Sequence, residues 1–454
     1  MAGDDRPWGF RTRAVHAGAV PDAATGARAV PIYQSTSFVF DDTADAANLF
    51  ALQKYGNIYS RIANPTVAAL EERLASLEGA LGAVATSSGQ AAEFLTFATL
   101  AGAGDHIVAS SALYGGTVTQ LDVTLRRFGV DTTFVAGDDP DAFRRAITEK
   151  TRCVFAEIIA NPSGEVTDVA ALAEVAHERG LPLIIDATMA TPYLCRPMEH
   201  GADIVIHSAT KFLGGHGTTL GGVILESGRF DWGNGNFPQM TDPIPSYGGL
   251  TWWGNFQEYG FLTKVRSEQL RDVGATLSAH SAFLLLQGVE TLPQRMEAHV
   301  ANAQRVAEWL EADERVAWVS YAGLPGHPHH ERAKKYLPQG PGAVFSFGVR
   351  GDDEDPESSA RAAGRRFIES VQLCSHLANI GDARTLVLHP ASTTHQQLTA
   401  DQLREGGVRP DLIRISVGIE DPEDILWDLD QALTEATRET QRSGARPVVK
   451  EAAP

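Results

Sequence analysis

Cysteine is scarce: the 454-residue chain has three, Cys153, Cys195 and Cys374. They are far apart, odd in number and without Cys-x-x-Cys spacing. That excludes a disulfide framework and a cysteine zinc site, and it fits a reducing compartment such as the cytoplasm. Long hydrophobic runs are also missing. None approaches the roughly 18 apolar residues of a membrane span, so no membrane association is expected, and the run Phe283 to Leu286 reads as core. Residues 1–13 lack an apolar h-region, so no signal peptide is expected there. Basic residues are outnumbered, 38 Lys and Arg against 57 Asp and Glu, for a formal charge of −19. Such a surface repels a phosphate backbone, and no nucleic-acid partner is expected.

Other signals are incomplete. His327, His329 and His330 surround Gly326 and Pro328 with no carboxylate or cysteine pattern nearby. They read as an exposed loop, and no metal site is expected. His389 and His395 read as structural. Ala101-Gly102-Ala103-Gly104 is not a complete dinucleotide fingerprint. Asp138-Asp139 and Asp352-Asp353-Glu354-Asp355 read as solvated turns.

What is present is an α/β pattern. Apolar residues make up 43% of the chain, with 43 Gly and 23 Pro, which suits a loop-rich α/β enzyme. The length suits two domains and an arm. Residues 1–63 read as an extended N-terminal arm with one β-like run, Ser35 to Phe40. A helix then starts at the Asn64 cap, with Pro65 at its first position and Gly79 as its stop. Short apolar runs follow at Ala83–Thr86, His106–Ala109, Cys153–Ile158, Leu183–Ile185, Ile204–Ile206 and Val223–Leu225, separated by helical patterns such as Val169–Arg179. Runs without polar alternation predict strands covered on both faces, hence a mainly parallel sheet in a large domain, 64–274. Residues 227–262, rich in Gly, aromatics and Pro, interrupt the rhythm as a long ordered loop. A smaller α/β C-terminal domain, 275–438, carries helices at Val300–Glu311 and Ile425–Ala436 and strands at Val344–Val349 and Ile413–Val417. Residues 439–454 read as a loose tail.

Three segments at predicted strand ends carry chemistry, where ligands of open α/β sheets gather. Ser87-Ser88-Gly89-Gln90 opens a helix after Thr86, and small residues there present amides to a phosphate. Alone, such a turn is common. Asp186 closes a buried strand, where a carboxylate needs a cationic partner such as a protonated pyridine nitrogen. Ser208-Ala209-Thr210-Lys211 supplies two hydroxyls for a phosphate and an amine that can form an imine with an aldehyde. Phosphate loop, acid and lysine in this order are what pyridoxal 5′-phosphate needs: a covalent anchor and a carboxylate that keeps its ring nitrogen protonated.

With these motifs in hand, the chain resembles the Cys/Met-metabolism family of pyridoxal-phosphate enzymes, over roughly residues 12 to 438. The resemblance implies the aspartate-aminotransferase-like fold. Tyr59-Ser60-Arg61-Ile62-Ala63-Asn64-Pro65-Thr66 matches a family motif. It implies that Tyr59 and Arg61 reach the cofactor phosphate of a neighbouring subunit, in a homotetramer built of dimers that share active sites. Ser88, Gly89 and Gln90 match the phosphate loop, and Tyr114 matches a tyrosine that stacks on the ring and helps move protons. Asn161 and Asp186 match the ring-contacting pair. Ser208, Thr210 and Lys211 match the Ser-x-Thr-Lys signature, with Lys211 as the Schiff-base residue. Arg414 matches the arginine that grips the substrate carboxylate, with Asn379 and Tyr59 beside the substrate.

The stretch from about Phe230 to Phe261, Ala378-Asn379-Ile380-Gly381-Asp382 and His389-Pro390-Ala391-Ser392-Thr393-Thr394-His395 resemble the O-acetylhomoserine sulfhydrylase branch. Gly116 stands where methionine γ-lyases carry Cys, and Thr385 replaces a more frequent Ser. The branch implies γ-replacement: O-acetyl-L-homoserine and sulfide give L-homocysteine and acetate, a step of methionine biosynthesis, with O-acetylserine or methanethiol as side substrates. Cystathionine γ-synthase and γ-lyase activities remain alternatives, as does a non-catalytic cofactor-binding sensor.

Overall fold

The computed structural model describes residues 8–136, 139–161, 163–351, 356–393 and 409–443. Two compact units divide the chain: Met1–Ala160 with Glu165–Met296 and Arg332–Gly340, and Asn161–Gly164 with Glu297–Glu331 and Pro341–Pro454.

The first unit is built on seven strands, β1 (Gly82–Thr86), β2 (His106–Ser110), β3 (Asp131–Val135), β4 (Thr151–Glu157), β5 (Leu183–Asp186), β6 (Ile204–His207) and β7 (Gly222–Glu226). Their order is β1-β7-β6-β5-β4-β2-β3. The pairs from β3 to β6 are parallel, and β7 runs antiparallel to both its neighbours. The expected mainly parallel sheet is therefore observed. Its central strands are buried throughout because their side chains are apolar on both faces. β3 escaped the apolar-run criterion: Asp131-Thr132-Thr133 opens it, and alternate residues face out at the sheet edge.

The first long helix, Pro65–Glu78, follows its expected punctuation. Asn64 accepts from the Thr66 amide at 2.9 Å, and Gly79 ends the helix with φ +77°. Its Glu71 accepts from the Ala85 amide at 2.8 Å, which fixes the helix to β1.

Two expectations need correction. Ser35 to Phe40 forms no strand; one bridge joins Ser37 to Tyr59, and Val39 is 98% exposed. The β-like run meets no partner strand to form a ladder. Short helices, Phe10–His16 and Thr43–Phe50, occupy the arm instead. Residues 227–262 are ordered but not all loop, since short helical turns occur at Pro238–Thr241, Pro245–Tyr247 and Trp252–Phe256. Trp232, Phe237, Trp252 and Phe261 of this segment are fully buried, and Trp232 stacks on Phe261 with ring centroids 5.0 Å apart.

The second unit holds β8 (Val316–Ser320), β9 (Val344–Val349), β10 (Ser375–His376), β11 (Leu386–Leu388) and β12 (Leu412–Ser416), in the order β10-β11-β12-β9-β8. Helices Pro356–Ser370 and Pro422–Ser443 pack together, and the first lies against β9. Asp428 accepts from the amides of Gln372, Leu373 and Cys374 at 2.7, 3.0 and 2.7 Å.

His327, His329 and His330 are half-buried rather than exposed. Nε2 of His327 meets Ser320 Oγ at 3.3 Å, and burial lowers its pKa to about 4. His389 is buried between Ser392 Oγ (2.5 Å) and the Pro410 carbonyl (2.7 Å). His395, Asp138 and the acidic run 352–355 lie outside the described residues. Among the described residues, no helix is long and apolar enough to cross a membrane, and no group of three or more His, Cys, Asp or Glu could hold a metal ion.

Candidate active site

The carboxyl ends of β1, β5 and β6 bring three of the expected segments together. After β1 the chain breaks at Ser88, whose hydroxyl caps the helix Gly89–Leu100 by accepting from the Ala91 amide at 3.1 Å. The first-turn amides of Gly89 and Gln90 have no intrahelical acceptor, which is the arrangement that binds a phosphate. Gly89 lies directly on Ser208: a Cβ at 89 would sit 2.6 Å from Ser208 Cβ. No larger residue fits there without separating the helix from the lysine turn.

A chain of hydrogen bonds joins the ends of β5 and β6. The Ser208 amide donates to Thr188 Oγ1 at 2.8 Å, and the Thr188 amide donates to Asp186 Oδ1 at 2.8 Å. Lys211 sits half-buried in the following turn, its amide on the Ser208 carbonyl at 3.1 Å. Thr210 braces that turn, its hydroxyl 3.1 Å from both the carbonyl and the amide of Gly221.

The electrostatics suit a cationic ring nitrogen. Burial raises the pKa of Asp186, while hydrogen bonds from Thr188 and the charge of His207 pull it back. Glu93, on the adjoining helix, is raised well above its usual range by burial and by Asp186. Two neighbouring buried carboxyls favour one shared proton unless a cation arrives. The amide cradle, the Gly89–Ser208 contact and the buried acid together fit a phosphorylated pyridine aldehyde.

Tyr114 is half-exposed, and its amide donates to Glu157 Oε1 at 2.6 Å. A Cβ at Gly116 would fall 2.4 Å from Tyr114 Cε1, so glycine there lets the ring lie over its own turn. Gln90 turns inward: its Nε2 donates to Glu93 Oε2 at 2.8 Å and to Thr117 Oγ1 at 3.2 Å. Its amide, rather than its side chain, belongs to the cradle. Arg61 stacks on Tyr59 at 5.1 Å, both exposed within one chain.

The remaining expected residues form a cluster in the second unit. Arg414 is mid-strand in β12, opposite Ser346 and Leu388. Its guanidinium donates to Asn161 Oδ1 at 3.4 Å and to the Asn379 carbonyl at 3.2 Å. From the sequence alone this arginine reads as a plain surface charge, yet it is half-buried beside the Asn161 side-chain oxygen and the Asn379 carbonyl.

Sequence reasoning missed Glu93, Glu157, Thr188 and His207. Glu157 closes β4 as Asp186 closes β5, and the two are register partners, so the same signal could have found it. His207 and Glu78 form a fully buried pair at 2.9 Å beneath Ser208. Glu93 is the one charged residue of the helix Gly89–Leu100.

Residues 11–434 match the model of the Cys/Met metabolism PLP-dependent enzyme family. The O-acetyl-L-homoserine sulfhydrylase of Leptospira meyeri is 49% identical, over 95% of this chain and 98% of that one. A homocysteine synthase of Schizosaccharomyces pombe is 50% identical, over 93% and 98%. A Campylobacter jejuni structure, described as an O-acetylhomoserine (thiol)-lyase with one lysine present as N′-pyridoxyl-lysine-5′-monophosphate, superposes with a TM-score of 0.89. It is 35% identical and covers 94% of this chain and 100% of that one.

Proposed function

Because the chain belongs to the Cys/Met-metabolism family of pyridoxal-phosphate-dependent enzymes, we propose that it replaces the acetate of O-acetyl-L-homoserine with sulfide, giving L-homocysteine. The observation that carries this reading is the Gly89–Ser208 contact, which sets the phosphate cradle against the lysine turn. Sulfhydrylase relatives of about 50% identity supply the substrate class.

Bound pyridoxal phosphate supplies an electron sink for the pair left at a substrate carbon. The protein's residues do the rest. Gly89 and Gln90 amides and the Ser88, Ser208 and Thr210 hydroxyls hold the phosphate, with Tyr59 and Arg61 of a neighbouring copy. Asp186 keeps the ring nitrogen protonated, and Asn161 contacts the ring. Lys211 Nζ anchors the aldehyde carbon. Once the substrate amine releases it, Nζ takes the Cα proton and then serves Cβ, with the Tyr114 hydroxyl assisting. Acetate leaves Cγ with its bonding pair, and sulfide brings the pair of the new C–S bond, so the charge balances. Arg414 grips the substrate carboxylate, with Asn379 and Tyr59 beside it.

A shared site requires a second copy. The arm exposes Val20, Val39, Phe50 and Tyr55, between 61% and 98%, which suits burial against another subunit in a tetramer built of dimers. The three cysteines are all free and buried, which suits a reducing cytoplasm.

The test is a product assay with O-acetylhomoserine and sulfide, cysteine or methanethiol as acceptor. Homocysteine from sulfide is expected to dominate. Cystathionine from cysteine as the main product would reassign the chain to the γ-synthase branch.

A further inference from the structure

The turn that carries Lys211 rests on a buried cation with no acidic partner. Arg295 is 6% exposed, and among the described residues it pairs with no carboxylate. Its guanidinium instead donates to three carbonyls: Phe212 at 2.7 Å, Leu213 at 3.1 Å and Gly288 at 2.6 Å. Phe212 and Leu213 immediately follow Lys211, and the Lys211 carbonyl accepts from Gly215 N at 2.7 Å. The carbonyls of three successive residues, starting at the lysine, are thus satisfied within this one assembly. A charge taken out of water normally needs an opposite charge. Here converging carbonyl dipoles replace it, as at a capped helix C-terminus. Burial still lowers the pKa of Arg295 to about 10, so the guanidinium keeps its proton at neutral pH.

Two glycines make the clamp possible. A Cβ at Gly215, whose φ is +72°, would lie 2.0 Å from Arg295 Nη1. A Cβ at Gly288 would lie 2.3 Å from the Gly214 carbonyl oxygen. One glycine admits the guanidinium and the other lets helix Ala279–Glu290 press its backbone on the turn.

We infer that Arg295 is a positioning residue for the reaction, acting through the backbone to hold the Lys211 amine in its reactive place. This rests on the reading of Lys211 as the cofactor-bearing lysine. Only a planar fork reaches adjacent carbonyls and a third together, so lysine is not an adequate substitute.

The test compares Arg295→Lys and Gly288→Ala with the wild-type holoenzyme. The readouts are melting temperature, the rate of pyridoxal-phosphate release into a competing amine, the pH titration of the visible band, and kcat and KM separately. Both variants are expected to release cofactor roughly tenfold faster, the effect of weakened hydrogen bonds to a charged group. Their titration midpoint is expected to move. For Arg295→Lys, kcat should fall by about 10²-fold, the scale of a slight misplacement, with KM little changed. If Arg295→Lys fails to fold, Gly288→Ala, which keeps the guanidinium, carries the same expectation. Wild-type release and titration in a variant that merely melts earlier would overturn the inference and leave the Lys211 reading intact. Borohydride trapping of the wild-type cofactor on another residue would overturn both.

Discussion

Two stretches of irregular backbone follow neighbouring strands of the large sheet: directed hydrogen bonds are prominent in one and packed aromatic rings in the other. The turn at 208–215, after β6, is fixed by polar groups: Thr188, Thr210 with Gly221, and the Arg295 guanidinium. The segment at 227–262, after β7, is fixed by apolar rings, with Phe230, Trp232 and Phe237 packed edge to face and Trp232 stacked on Phe261. Hydrogen bonds are directional and specify where an atom sits. Ring burial is non-directional and specifies mainly that the segment stays down. The contrast suggests that position matters after β6 and adhesion after β7.

Substitutions that separate activity from stability can break that contrast. The largest effect belongs to Lys211→Ala, expected to lower turnover by at least about 10⁴-fold and to remove the visible band. Its melting temperature should stay near wild type, and a collapse of the fold would show that the turn also carries stability. Asp186→Asn should follow at about 10²- to 10³-fold in kcat, the scale of a lost preorganised charge; wild-type rates would remove it from the ring-nitrogen role. Trp232→Ala should do the reverse, costing about 3–5 kcal/mol in urea titration. Activity per folded molecule should persist, and loss of turnover at unchanged stability would break the comparison from the other side.

A smaller effect sharpens it through pH. Glu226 ends β7 and accepts from Trp232 Nε1 at 2.7 Å. Burial raises its pKa from 4.5 to about 8. Between these values the folded protein keeps a proton that the unfolded chain has lost. The stability this group contributes is full below pH 4.5 and is lost as pH rises through 8. Glu226→Gln should therefore melt a few degrees above wild type at pH 9 and alike at pH 4, with the sulfhydrylation rate unaffected. Equal melting at both pH values would show that the acid is already ionised. The smallest expected change calibrates the rest: Asn64→Ala removes a regular helix cap and should cost about 1 kcal/mol in the same titration.

The same contrast explains what could be read in advance. The aromatic segment announced its order, because nine aromatic residues in a run that lacks periodicity have to go somewhere apolar, although its short helical turns were too brief to leave a pattern. Ser88, Asp186 and Lys211 were legible because each breaks an apolar run at a strand end. Arg295 was not, because its partners are carbonyls, which have no sequence signature, and two of them lie 82 and 83 residues away. Glu93 carries no signal of its own in the sequence, and its setting beside Asp186 and Thr117 is supplied by the fold. The strand expected at 35–40 failed because β-propensity names a residue's preference and not its partner. Arg414 needed the family resemblance, since nothing local distinguishes a gripping arginine from a solvated one.

The buried thiols have a practical consequence. Cys153, Cys195 and Cys374 are inaccessible in the folded chain, and burial pushes all three well above the usual thiol range. Alkylating reagents attack only the exposed thiolate. The native protein is therefore silent toward them, and any labelling that does occur times an opening event. A single cysteine introduced on the surface would accept a fluorophore without first removing the natural three.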